Sequence, residues 1–167
     1  MKIRILLIIT LFFFLAHCMA QSITVAGTSW AAAIPTITEA GSNYTSSIVE
    51  SGVAQSTLTV KVRNTPGLNH YTVNVKRTDS GNNWGTVGLQ IWVKRTSTGT
   101  GGGNGSFILG GTTYLAITNT DSYFFDGSND NGGTRSGITL QYQITGVSVI
   151  VPVATYSTTI TYTLIDN

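Results

Sequence analysis

Residues 155–165 read T-Y-S-T-T-I-T-Y-T-L-I. Tyr156, Thr158, Ile160, Tyr162 and Leu164 fall on one side of this stretch, and Ser157, Thr159, Thr161 and Thr163 on the other. Successive side chains of a strand point to opposite faces. A period of two in β-branched and aromatic residues therefore predicts a strand with one buried and one wet face.

The same grammar recurs upstream. Leu58, Val60 and Val62 alternate with Thr57, Thr59, Lys61 and Arg63. Tyr71, Val73 and Val75 alternate with Thr72, Asn74 and Lys76, and Val87, Leu89, Ile91 and Val93 with Gly88, Gln90, Trp92 and Lys94. Ile138, Leu140, Tyr142 and Ile144 form a further inward set, after which Gly146 shifts the phase to Val147, Val149 and Val151. A glycine at such a shift predicts a bulge or a bend between sheets. Pro66-Gly67 predicts a hairpin between residues 56–63 and 71–76, and Gly110-Gly111 a tight one between 107–109 and 112–118. Residues 34–38, with Pro35, read as an irregular edge strand. No segment has a helical period. Eight to ten short strands separated by turn residues predict an all-β chain, an antiparallel two-sheet sandwich of immunoglobulin-like or jelly-roll type, with a barrel as the alternative.

The first twenty residues read differently. Lys2 and Arg4 precede an apolar run from Ile5 to Ala16, and Ala20 offers a small residue before Gln21. This predicts a signal peptide over 1–20, cleaved after Ala20, and a single exported domain over 21–167. The run is shorter than the roughly 20 residues a spanning helix needs, so no transmembrane span is expected. Leu15-Ala16-His17-Cys18 also resembles a lipoprotein cleavage site, which would tether the protein through Cys18; His17 departs from the small residue usual there. Without residues 1–20 the chain has no cysteine, so disulfides are not expected. Loss of Lys2 and Arg4 leaves seven basic and seven acidic residues and removes the formal charge of +2. No basic patch points to nucleic acid.

Catalytic patterns are sparse. His70 is the single histidine beyond residue 20, no nucleophile elbow accompanies it, and the glutamates are Glu39 and Glu50 alone. The expectation is a non-enzymatic protein. Asp126, Ser128 and Asp130 have the spacing of oxygen ligands in a calcium loop, with Asn129 and Asn131 nearby. Glycine comes one place late, at Gly132, and Gly137 stands where a closing glutamate belongs; a polar turn accounts for the same residues. Trp84, after a polar loop, and Trp92, on the polar phase of its strand, are candidates for stacking on a sugar ring if exposed. They make a carbohydrate-binding module the alternative to a structural protein.

The stretch V-P-V-A-T-Y-S-T-T-I-T-Y-T-L, residues 151–164, resembles the closing strand of spore coat protein U-like and archaic chaperone–usher pilin subunits. The export signal, the chain length and the all-β pattern are similar to that group. The resemblance implies a cell-envelope or surface subunit, structural or adhesive, whose partners are other subunits or a surface glycan. In such subunits an incomplete sandwich is completed by a strand from a neighbour, and Ile23 and Val25 would be the donated side chains here. Ala154 replaces the glycine usual in that group, and its cysteine pair is missing.

Overall fold

The computed structural model describes residues 21–27, 29–45, 47–49, 54–62, 70–81, 84–130 and 133–167. The expected signal segment with Cys18, the Pro66-Gly67 turn, Glu50, Asn131 and Gly132 lie outside these residues.

Within them the chain is an all-β structure of two antiparallel sheets. The strands are β1 (Ser22–Ala26), β2 (Ser47–Val49), β3 (Ser56–Lys61), β4 (His70–Gly81), β5 (Gln90–Arg95), β6 (Thr100–Gly101), β7 (Phe107–Gly110), β8 (Leu115–Ala116), β9 (Ser122–Ser128), β10 (Thr134–Thr145) and β11 (Tyr156–Asp166). The first sheet runs β1-β3-β10-β5-β8, with β2 and β6 also paired to β10. The second runs β11-β4-β9-β7. The two inward faces meet in one core that includes Leu58, Val60, Tyr71, Val73, Phe125 and Leu140, all fully buried. Burying that much apolar surface is the main stabilising term, at roughly 1.5–3 kcal/mol per large side chain.

The inward phase read from the sequence holds in β3, β4, β10 and β11 and, in β5, from Gln90 onward; the expected strand does not reach back to Val87, because Gly85–Val87 form a 3-10 turn closed by Gly88 at φ +77°. The connectivity differs from the expected hairpins. β3 lies in the first sheet and β4 in the second, and β7 lies in the second while β8 lies in the first. Residues 110–114 therefore cross from one sheet to the other, and no two consecutive described strands pair. Turn residues permit a reversal of the chain, but a reversal between layers uses the same chemistry as one within a layer.

Two further expectations are corrected. Residues 29–38 form no strand. Residues 147–151 form no strand either: β10 ends at Thr145, Gly146 has φ +83°, and Val149 and Ile150 are exposed. That glycine turns the chain back over Gly88, whose backbone leaves no room for a Cβ. Its function is to stop the strand, not to bulge it.

Candidate functional site

The two flanks of the sandwich are unlike. On one flank Arg95, at the end of β5, continues the inward set of Ile91 and Val93 and is buried. Its Nε donates to the carbonyl of Gly110, its Nη2 to that of Ile108 at 3.5 Å, and its backbone N–H to that of Gly111 at 2.6 Å. Arg135 of β10 is buried as well. Its guanidinium donates to Asn129 Oδ1 at 3.4 Å, Thr98 O at 3.0 Å and Ser106 Oγ at 2.7 Å. These two cations stitch β5, β7 and the 98–106 loop together and close the flank. Desolvation depresses the pKa of Arg95, with the neighbouring Arg135 charge adding in the same direction. Strand phase alone could have located Arg95, which falls two residues after an inward valine, as Arg77 also does.

The opposite flank is open. Among the described strands β11 pairs only with β4, and β1 only with β3, so each keeps one edge without a ladder partner. Between them lies a groove of about 760 Å³ whose described lining includes Trp30, Ile34, Ile48, Trp84, Val153 and Ile160 and no charged side chain. Val25 and Ile34, both about half exposed, and Val153, fully exposed, extend the apolar surface onto its rim. Two lining residues, Gln55 and Trp84, carry buried N–H groups, at Nε2 and Nε1, without acceptors among the described residues. At its base the Tyr142 hydroxyl lies 2.8 Å from Ser56 Oγ and 3.0 Å from the hydroxyl of Tyr162, which joins the two sheets across the core.

Ile23 is half-buried against the core and Val25 is exposed, both on β1 and paired in cis with β3. Trp84 sits in the core at 4 % exposure, with the Arg77 guanidinium 5.9 Å from its ring, so its face is not offered to solvent. Trp92 stands on the outer face of the first sheet, half-buried, its Nε1 donating to Thr145 Oγ1 at 2.9 Å. Asp126 and Ser128 belong to strand β9 and not to a loop, and they point outward between buried neighbours. Asp126 Oδ1 accepts from the Tyr123 hydroxyl at 2.6 Å, which raises the pKa of that phenol. Asn129 turns inward and donates to Val60 O at 3.2 Å and Gly133 O at 3.1 Å. Asp130 lies beyond the strand, its N–H bonded to Gly102 O at 2.6 Å. Extended backbone spreads these oxygens along a strand instead of wrapping them round a point. Among the described residues no three His, Cys, Asp or Glu side chains gather. His70 opens β4, exposed, with its ring 5.7 Å from that of Phe107.

Compared with protein-family models, with curated proteins and with solved structures, the chain gives no match in any of the three. No helix among the described residues is long and apolar enough to cross a membrane.

Proposed function

We propose that the protein is an exported, non-enzymatic subunit of the cell envelope or cell surface, structural or adhesive, that assembles with further copies of itself through its open flank. The observation that carries this reading is that β1 and β11 each keep an edge without a partner among the described strands, on either side of an apolar groove whose described lining is uncharged. An edge strand presents a row of free N–H and C=O groups, and a strand laid along it gains ladder hydrogen bonds while its alternate side chains fill pockets. The groove has both parts of that geometry. The N–H groups of Gln55 and Trp84, unpaired among the described residues, fit a wall that a second copy completes. The balanced charge of residues 21–167 leaves little repulsion between copies. The likeness of the closing strand to pilin-type subunits agrees with such a role, as does the leader-like N-terminus.

Size-exclusion chromatography with light scattering tests this. The protein is expected to form oligomers at high concentration, and Val25→Lys, which sets a charge on the groove rim, is expected to shift them to monomer. A strictly monomeric species at high concentration, unchanged by deleting residues 21–28, would count against assembly.

A further inference from the structure

We propose that the outer face of the first sheet carries a binding site for an acidic polysaccharide, with Trp92 as the stacking platform and Lys94 as the cation that selects the acidic sugar. The site lies away from the open flank, and the inference does not rest on assembly.

Strand phase sets the direction in which Trp92 points. Ile91 and Val93 occupy the core, so Trp92 must project outward from β5, next to the edge strand β8, where part of its side chain stays in water. Its orientation is set by the 2.9 Å hydrogen bond from Nε1 to Thr145 Oγ1. Its cross-strand neighbours are Gln143 on β10 and Ala116 on β8. Ala116 sets only a methyl group beside the ring on that side. A fixed, half-open indole on a sheet face is what a pyranose ring needs, because its C–H face packs on an aromatic plane while its hydroxyls seek amides and hydroxyls at the rim.

The rim supplies them. Tyr114 donates its hydroxyl to Gln141 Oε1 at 3.1 Å. Gln90 Nε2 is anchored to the carbonyls of Ile91 at 2.7 Å and Ile117 at 2.9 Å. These groups are held in place before any ligand arrives, which reduces the entropy lost on binding.

Charge decides the class of sugar. The charged side chains at outward positions of β3, β5 and β10 are Lys61 and Lys94, both cations. Lys94 stands two residues from Trp92 on the same face, about 7 Å along the strand. Its Nζ lies 4.6 Å from the centroid of the Tyr114 ring and pairs with no carboxylate among the described residues. An ammonium resting on an aromatic ring remains available to a carboxylate or sulfate one sugar width from the indole.

Affinity electrophoresis of the purified protein in gels containing polygalacturonate, dextran sulfate or neutral dextran tests the proposal. Retardation is expected in the acidic gels and not in dextran. Trp92→Ala is expected to weaken it about tenfold, the size of one aromatic stacking contact. Trp92→Phe, which keeps a ring, should retain part of the binding and serves if the alanine variant fails to fold. Lys94→Gln is expected to abolish retardation in the polygalacturonate gel, whereas Lys61→Gln leaves it. Absence of retardation in both acidic gels would overturn the proposal. So would equal retardation of wild type, Trp92→Ala and Trp92→Phe, or equal effects of the two lysine variants, which would mark simple polyelectrolyte attraction.

Discussion

At the scale of single residues, the structure depends on polar groups placed inside an apolar sandwich. Arg135 is the clearest case, because three separate acceptors converge on one buried guanidinium. A lysine carries one nitrogen at that depth and cannot span them. Arg135→Lys is expected to cost about 3 kcal/mol of unfolding free energy, the loss of one or two charge-assisted hydrogen bonds and the stranding of their partners, measured by urea denaturation. The Tyr142–Tyr162 pair makes a second prediction. Burial, then the nearby Tyr142, pushes the Tyr162 phenol well above its usual range. Burial also raises Tyr142, partly offset by its hydrogen bonds to Ser56 and Tyr162. A phenol raised in the folded state keeps its proton after the unfolded chain has lost it. The unfolded state then binds fewer protons, and stability falls as pH rises. The contribution is fully present below the unfolded value of about 10 and is lost above it. The urea midpoint should therefore decline above about pH 10, and Tyr162→Phe should flatten that decline relative to wild type.

At the scale of elements, β10 is the spine. It pairs with β5 and β6 along one edge and with β2 and β3 along the other. Edge strand β11 has a single partner. Leu140, fully buried in β10, touches core on all sides, whereas Leu164 of β11 is only half-buried. Leu140→Ala is expected to cost about 3–4 kcal/mol and Leu164→Ala less than half of that, by the same urea titration. Gly146→Ala belongs to this scale too, since it acts on the end of β10. The positive φ and the approach of Gly88 both oppose a side chain. A loss of about 2 kcal/mol or more is expected. The alternation in residues 58–62, 71–75 and 138–144 was enough to assign inward faces, because core burial acts on every second residue directly. It could not assign partners. The Gly110-Gly111 turn shows why: the residues that reverse a chain do not record whether it returns beside itself or across the core.

At the scale of the whole molecule, every described strand pairing joins segments that are not consecutive. Such a topology requires loop closure before contacts repay it. Refolding from urea is expected to be slow, with a main phase on the order of a second or longer in stopped-flow fluorescence. The two proposed contacts differ in their response to salt. Assembly through an uncharged groove should persist at about 0.5 M NaCl, while binding of an acidic glycan at Lys94 should weaken steeply there.

The amino-acid order by itself determined the all-β class, the inward face of the main strands and the outward position of Trp92, because a period of two is a local property that solvent and core read residue by residue. Only the tertiary structure decided that consecutive strands lie in opposite sheets, that Trp84 is buried, that Asp126 and Ser128 are strand residues and that one flank is closed by buried arginines while the other is open. Those outcomes depend on which distant segments meet, and that is settled by packing the whole core at once.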